Sequence, residues 1–98
     1  MTIEIKKNED EIVLEVTGRL DTITAPALEK TINDNLEEIK NLTLDFKCLE
    51  YVSSAGLRVL LSAQKKMQQI GEMKLTNVCE EVMSVFEMTG FADILTIE

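Results

Sequence analysis

The segment "NLTLDFKCLEYVSSAGLRVLL", residues 41–61, contains the change of pattern that decides the fold. Its beginning alternates apolar and polar side chains, which is typical of a half-buried β-strand with Leu42, Leu44 and Phe46 on one face. Further along, apolar residues recur at steps of three and four, which indicates an amphipathic helix. A strand that leads into a helix is the repeating unit of parallel sheets, so this segment favours an α/β protein.

The residues before this segment predict a hairpin and a helix. Short β-branched runs at residues 2–5 and 11–18 have a period of two and flank the turn-like "KKNED", so we expect two paired strands. The pattern then becomes helical, with Thr24 as a candidate N-cap and Pro26 in the first turn. The predicted buried stripe of this first helix comprises Ala25, Leu28, Ile32, Leu36 and Ile39.

After the segment, the alternation of strands and helices continues. Gly71 is expected to end the second helix as a C′ glycine. Residues 72–78 are predicted to form a strand, residues 79–91 a third helix that stops at Gly90, and residues 93–98 a last short strand. This order requires a mixed, largely parallel sheet, so we expect one α/β domain over residues 1–98, with its functional residues where strands end and helices begin.

Composition and charge exclude several classes of function. The chain has 98 residues, of which 45% are hydrophobic, and this is enough for one compact domain with a real core. Ten basic against eighteen acidic residues give a net charge of −8, which argues against binding to nucleic acid or to an anionic membrane. Histidine, the commonest general base and transition-metal ligand, is absent, and we predict no catalytic residue, cofactor or metal site.

The N-terminal sequence and the cysteines bear on location. "MTIEIKKNEDEIVLEV" alternates and carries charge, with no apolar block of targeting or membrane length. We therefore expect a cytoplasmic protein. Cys48 and Cys79 are expected to be buried and reduced rather than joined in a disulfide framework.

Two adjacent serines, Ser53 and Ser54, stand where the second helix begins. One serine is sufficient to cap a helix, because its oxygen accepts from the N–H groups of the first turn. The second hydroxyl is then free, and the small Ala55 and Gly56 leave the positive end of the helix dipole open to an anion. A phosphate here would convert a neutral surface into a dianion and repel a partner, which is a switch rather than catalysis.

Three segments in the correct order and spacing resemble the anti-sigma factor antagonist branch of the STAS domain family. Residues 16–32, "VTGRLDTITAPALEKTI", resemble the family's approach to its first helix, and residues 41–61 resemble its central strand, loop and regulatory serine. Residues 75–95, "LTNVCEEVMSVFEMTGFADIL", are similar to its closing strand and helix.

This resemblance implies a mixed sheet of four or five strands with the helices mainly on one face. It also implies binding to an anti-sigma factor that acts as a serine kinase. That kinase would phosphorylate the antagonist at the start of the second helix and release the complex, and a serine phosphatase would restore binding. The antagonist itself would not be an enzyme.

One departure from the family pattern concerns the phosphorylated residue. The pattern is often Asp-Ser-Ser/Thr-Gly-Leu, with the acceptor immediately before the glycine, but here Ala55 precedes Gly56. Ser54 is therefore the first choice for phosphorylation and Ser53 the second. The alternative is that the acceptor has been lost, which would leave a constitutive binder.

The candidate partner-binding residues lie around these serines: Asp21, Thr22, Ser53, Ser54, Ala55, Gly56, Leu57 and Arg58. Asp21 also has a simpler explanation as a turn residue, and Thr22 and Thr24 as caps of the first helix. Two rival functions stay open. The chain could be a STAS module that regulates a signalling partner unrelated to sigma factors, or a domain that binds a nucleotide or another anion at the helix N-terminus.

Overall fold

The computed structural model describes residues Met1–Glu98 and contains five strands and three α-helices. In chain order, these elements are β1 Thr2–Asn8, β2 Glu11–Leu20, α1 Ala25–Asn35, β3 Asn41–Asp45, β4 Leu49–Val52, α2 Ser54–Ile70, β5 Glu72–Thr76 and α3 Glu80–Thr89. Single turns of 3₁₀ helix follow α1 at Leu36–Glu38 and α3 at Phe91–Asp93.

All five strands belong to one sheet, and only the pairing of β1 with β2 is antiparallel. β2, β3 and β5 lie side by side in parallel. On the side away from β1, β2 is long enough to pair with two strands in succession. Its first residues pair with β3, and its last residues, Gly18–Leu20, pair with β4. The prediction of a mixed, largely parallel sheet is confirmed.

β4 is the strand that the sequence pattern did not predict. Gly18 pairs with Leu49 and Arg19 with Tyr51, so Glu50 is an extra residue in the ladder, as in a β-bulge. Because of this extra residue, the strand does not alternate strictly: its first and last residues are buried and the two between them are exposed. A four-residue strand without a period of two cannot be distinguished from a loop in the sequence.

The helices pack mainly on one face of the sheet. In β2, every second side chain is fully buried (Ile12, Leu14 and Val16), as expected for a strand with one covered face. One continuous cluster of 23 buried apolar residues fills the space beneath the helices. The helices contribute to this cluster chiefly Leu28, Ile32, Leu60, Met67, Val82 and Phe86.

α1 is shorter than the predicted apolar stripe. It ends at Asn35, Leu36 lies in the 3₁₀ turn, and Ile39 has extended backbone with φ −126° and ψ 154°. The chain leaves the helix because it must enter β3. The amides of Lys40 and Asn41 donate to the carbonyl oxygen of Asp10 at 2.7 and 3.2 Å. Ile39 is nevertheless buried, so the prediction of its burial was correct and only the prediction of its helical conformation was wrong.

Gly71 ends α2 as predicted, but for a different physical reason. Its φ of 169° is extended backbone that any residue adopts. A Cβ atom here would overlap the main chain of Lys40, so the close approach of two chain segments requires glycine. Gly90, with φ 83°, ends α3 in the left-handed conformation that is typical of C′ glycines.

The C-terminal residues form a single parallel bridge beside β5 instead of a strand. The amide of Leu75 donates to Thr96 and the amide of Glu98 to Leu75, both at 2.9 Å. None of the helices combines the length and apolarity that a membrane crossing requires.

The expectation that both cysteines are buried was wrong for Cys48. It is exposed in the turn between β3 and β4, whereas Cys79 is half-buried and its thiol donates to the carbonyl of Leu49 at 3.5 Å. Cys48 lies two residues beyond Phe46, the last fully buried residue before that turn, and therefore stands outside the core.

Candidate functional site

The serines and the Asp21 turn lie at the same edge of the sheet. Leu20 and Val52 are paired at the carboxyl ends of the parallel strands β2 and β4. The chain leaves β2 into the turn Asp21–Thr24 and leaves β4 into α2 at Ser53, whose amide donates to the carbonyl of Leu20 at 2.8 Å. The structure therefore brings together the two segments that the sequence proposed as one site.

Ser53 is the N-cap of α2. Its backbone is extended, with φ −98° and ψ 177°, and its Oγ accepts from the amide of Gly56 at 3.4 Å. Its carbonyl oxygen accepts from the amide of Leu57 at 2.9 Å, which is the first hydrogen bond of the helix. The half-buried Ser53 hydroxyl is thus already used as the cap of the helix.

Ser54, the first residue of α2, has the opposite character. Its side chain is exposed, and its hydroxyl makes no hydrogen bond within the chain, whereas its carbonyl accepts from Nε of Arg58 at 3.5 Å. The guanidinium group of Arg58 therefore lies over the first turn of the helix. An anion on Ser54 would meet the positive end of the helix dipole and a nearby cation.

Gly56 and Leu57 lie beneath this surface rather than on it. Both are buried, and a Cβ atom on Gly56 would come within 2.7 Å of Leu20 Cγ and 2.9 Å of Val52 Cγ2. Glycine is required because α2 starts directly over the ends of β2 and β4. Of the candidate contact residues in this helix, Ser54 and Arg58 are exposed, and Ala55 is half-buried.

The carboxylate of Asp21 organises the turn before α1 together with the hydroxyl of Thr24. Its Oδ1 accepts from the amides of Ile23 and Thr24 at 3.0 and 3.1 Å. The hydrogen bond from the Thr24 amide is the main reason that the pKa of Asp21 lies below its usual value, and the guanidinium of Arg19, 4.0 Å away, contributes further. The carboxylate therefore stays ionised and holds the turn.

The two threonines do not cap α1 through their side chains. Thr24 occupies the N-cap position, as predicted, but its side chain makes no capping hydrogen bond to the helix. Its hydroxyl instead donates to the carbonyl of Arg19 at 2.7 Å and accepts from the amide of Asp21 at 2.9 Å. Thr22 is exposed at the tip of the turn, where a partner can reach it.

Three exposed residues of this edge were not singled out from the sequence. The side chain of Ile23 is 88% exposed beside Thr22, and the Arg19 guanidinium stacks on the ring of the partly exposed Tyr51, 4.2 Å from its centroid. Ile23 is an apolar residue outside the predicted buried stripe of α1, and this feature of the sequence could have identified it as exposed. Arg19 and Tyr51 could be recognised only once β4 was known, because their pairing across β2 and β4 brings them together.

A cavity of about 500 Å³ lies at the opposite edge of the sheet, away from the serines. It is formed at the starts of the parallel strands, where Asn41 and Glu72 begin β3 and β5, and it also includes Glu11 and Glu98. Its acidic side chains are unsuited to a phosphate-containing ligand. The cavity therefore gives no support to nucleotide binding at the start of α2.

Known proteins are similar to this chain over nearly its whole length. The model of the STAS domain family matches residues 2–98. The anti-sigma-B factor antagonist of Bacillus subtilis is 31% identical over 98 residues, which cover 99% of this chain and 90% of that protein.

Two solved structures have the same fold. An anti-sigma factor antagonist from Mycobacterium paratuberculosis superposes with a TM-score of 0.88 at 23% identity, covering 98% of this chain and 83% of that one. The phosphorylated form of the Bacillus cell fate determinant SpoIIAA gives a TM-score of 0.78 at 16% identity, covering 99% and 91%. The relatives are regulatory binding proteins rather than enzymes, in agreement with the expectation from the sequence.

Proposed function

We propose that this chain, which belongs to the STAS domain family in its anti-sigma factor antagonist branch, binds an anti-sigma factor and is released by phosphorylation of Ser54. The contact surface is the edge formed by Ser54, Arg58 and the turn Asp21–Thr24. The partner is an anti-sigma factor that is also a serine kinase, and a serine phosphatase reverses the modification. A role in transcription places the chain in the cytoplasm.

The observation that carries this proposal is the division between the two serines. Ser53 is half-buried and its Oγ caps α2, so a kinase would have to break the cap in order to reach it. Ser54 is exposed and its hydroxyl is unengaged, so phosphorylation requires no rearrangement of the fold. This supports Ser54 as the acceptor and leaves Ser53 as the second choice.

The electrostatic setting supports a switch that acts on the partner rather than on the fold. A phosphate adds about −1.5 to −2 charges, and the start of α2 with Arg58 nearby tolerates them. Because the anion is accommodated within the chain, its principal effect falls on whatever packs against Ser54. A partner surface that fits a neutral hydroxyl would be left with an unpaired, desolvated charge, which is strongly unfavourable.

The alternatives make different predictions at the same site. Loss of the acceptor, as Ala55 before Gly56 suggests, would leave a constitutive binder that no kinase modifies. A STAS module with a signalling partner unrelated to sigma factors would keep the switch but change the protein it captures. Nucleotide or anion binding would show as thermal stabilisation by the free ligand without any protein partner.

The experiment is affinity capture from the native cell extract with four forms of the chain. These are the wild type, Ser54→Glu, Ser53→Asp, which retains a capping oxygen, and Ser84→Glu, which places the same charge on the exposed side of α3. We expect an anti-sigma factor with a kinase-type ATP-binding domain on the wild type and Ser84→Glu. Its binding to Ser54→Glu should fall about tenfold or more.

A second step locates the modification. The captured kinase is incubated with ATP, Mg²⁺ and either the wild type, Ser54→Ala or Ser53→Ala, and the phosphorylated residue is identified by mass spectrometry. Phosphate on the wild type and Ser53→Ala but not on Ser54→Ala is the expected result. Equal capture of all four forms without phosphorylation would favour the constitutive binder, and modification of Ser53 would move the switch by one residue.

A further inference from the structure

β1 is an edge strand whose outer side is open along its whole length. It pairs only with β2, and six of its seven residues are exposed, Ile3 being half-buried. Ile5 is 52% exposed although it is a large apolar side chain. The far side of the sheet differs, because there the bridge to Ile97 occupies the main chain of β5 at Leu75. Unpaired edges of this kind are templates for another strand.

The hairpin decides which main-chain groups of β1 face outward. Asn8 and Glu11 are paired directly before the two-residue turn, so they form a hydrogen-bonded pair. Alternation then directs the main-chain groups of Lys6 and Glu4 towards β2, and those of Lys7, Ile5 and Ile3 towards solvent. An incoming strand therefore meets available N–H and C=O groups at Ile3, Ile5 and Lys7.

The charged side chains of β1 complement those of a second β1 strand that runs antiparallel to it. Glu4 lies directly opposite Glu15 in the pairing with β2, and Lys6 forms an ion pair with Glu15 at 2.9 Å. Glu4 therefore faces a like charge and has no ion-pair partner within the chain. A cation opposite Glu4 on the outer side of β1 would offset this repulsion.

We propose that a second copy of this chain pairs with β1 in antiparallel register centred on Ile5. This register is the one in which the outward main-chain groups of both strands meet, with Ile5 opposite the second copy's Ile5 and Ile3 opposite its Lys7. It also places Glu4 of each copy opposite Lys6 of the other. The two exposed Ile5 side chains then pack together at the twofold axis, and the two sheets become continuous.

This dimer is formed by β1 and not by the start of α2, so it is independent of the proposed phosphorylation switch.

Lysines on an edge strand usually prevent pairing between sheets. Here Lys6 has an acidic residue opposite it in the second copy, and Lys7 already contacts Glu38 within its own chain. The lysines of β1 therefore disfavour pairing with most other strands but are compatible with an antiparallel copy of β1.

The test is analytical ultracentrifugation of the purified chain over a wide concentration range, with charge variants on β1. Wild type should shift from monomer to dimer as concentration rises. Glu4→Lys should weaken the dimer about tenfold or more, because two attractive contacts become repulsive. The fold of this variant should be retained, since the introduced lysine would face Glu15 in the chain's own hairpin. The double variant Glu4→Lys/Lys6→Glu should restore dimerisation, and Glu29→Lys, the same charge change on the exposed face of α1, should leave it unchanged.

Amide hydrogen exchange supplies a residue-level readout. At low concentration, the amides of Glu4 and Lys6 should be protected by β2 and those of Ile3, Ile5 and Lys7 should exchange rapidly. Raising the concentration should protect the second set only. A chain that stays monomeric up to about 1 mM, or a dimer that Glu4→Lys does not weaken, would overturn the proposal.

Discussion

The main-chain amide of Ser53 donates a 2.8 Å hydrogen bond to the carbonyl oxygen of Leu20. This bond fixes the start of α2 to the end of β2. Because it joins main-chain atoms, it holds the serine pair and the Asp21 turn at the same edge of the sheet independently of their side chains. Ser53 supports the fold through both its main chain and its hydroxyl, whereas the hydroxyl of Ser54 supports none of it. Ser54 is the proposed acceptor because of this difference, which stability measurements can test without any partner.

Removing each hydroxyl should therefore have unequal effects on stability. Ser53→Ala loses the capping oxygen of α2 and should lower the free energy of unfolding by about 1 kcal/mol. Ser54→Ala removes an exposed, unbonded hydroxyl and should change it by less than about 0.5 kcal/mol. Urea denaturation of both variants under identical conditions measures the difference. Equal losses would show that Ser53 is not the cap, and the assignment of the free hydroxyl to Ser54 would fail with it.

Gly56 should not tolerate even a methyl group. Alanine is favoured over glycine within a helix by about 1 kcal/mol, so on propensity alone Gly56→Ala would be stabilising. The added Cβ would instead lie 2.7 Å from Leu20 Cγ and 3.0 Å from the Leu20 carbonyl oxygen, and the start of α2 would have to move away from β2. We expect a net loss of about 1–3 kcal/mol in the free energy of unfolding.

The matched control for Gly56→Ala is Gln68→Ala, at an exposed position of the same helix. It should change stability by less than about 0.5 kcal/mol. A Gly56→Ala chain as stable as the wild type would mean that the contact between α2 and the strand ends is looser than the structure places it.

The pH dependence of stability should report the Asp21 turn. The hydrogen bond from the Thr24 amide lowers the pKa of Asp21, so the folded state favours the ionised carboxylate more than the unfolded state does. Its contribution is present above the usual carboxyl pKa of about 3.9 and is lost as the pH falls through the lower folded value. Asp21→Asn keeps the acceptor oxygen but removes the charge.

We therefore expect Asp21→Asn to be less stable than the wild type at pH 7, with the difference disappearing below the folded pKa of Asp21. Denaturation curves of both chains at neutral and strongly acidic pH provide the comparison. Asp93→Asn is the control, since that exposed carboxylate accepts no hydrogen bond within the chain. A deficit of Asp21→Asn that persisted at acidic pH would trace its effect to lost geometry rather than to charge.

The sequence predicted those parts of the fold that depend on the local period of apolar residues. The hairpin, the three helices and β3 and β5 follow from alternation or from steps of three and four, because one face of each element is buried in the core. β4 was missed because its register with β2 contains the extra Glu50, and a bulge disrupts the period that makes a strand visible. The exposure of Cys48 belongs to the same error, because it lies in the turn that β4 requires.

The site shows the same division between local and non-local information. The serine pair was predicted because a second hydroxyl at a helix start is a local feature. The requirement for glycine at position 56 comes from Leu20 and Val52, and that at position 71 from Lys40, so neither can be derived from residues adjacent in sequence. Thr24 is the N-cap residue of α1, as predicted, but its hydroxyl donates to the carbonyl of Arg19 instead of capping the helix, and this non-helical partner is not part of an isolated helix pattern.

A negative charge at Ser54 should stabilise the folded chain rather than disrupt it. Ser54 is the first residue of α2, where the helix dipole favours an anion, and Arg58 lies four positions further along the same face. Ser54→Glu should therefore raise the free energy of unfolding by about 0.3–1 kcal/mol at low ionic strength. Gln69→Glu makes the same change of charge at the exposed carboxyl end of α2 and should lower it by a few tenths of a kcal/mol.

Chemical denaturation in low and high salt separates this electrostatic effect from others, because screening should reduce both changes together. The comparison also decides how phosphorylation would release a partner. If Ser54→Glu stabilises the chain and still loses the partner, the charge acts at the contact surface itself. If Ser54→Glu destabilises the chain, the start of α2 does not accommodate an anion, and release would have to proceed through a change in the fold.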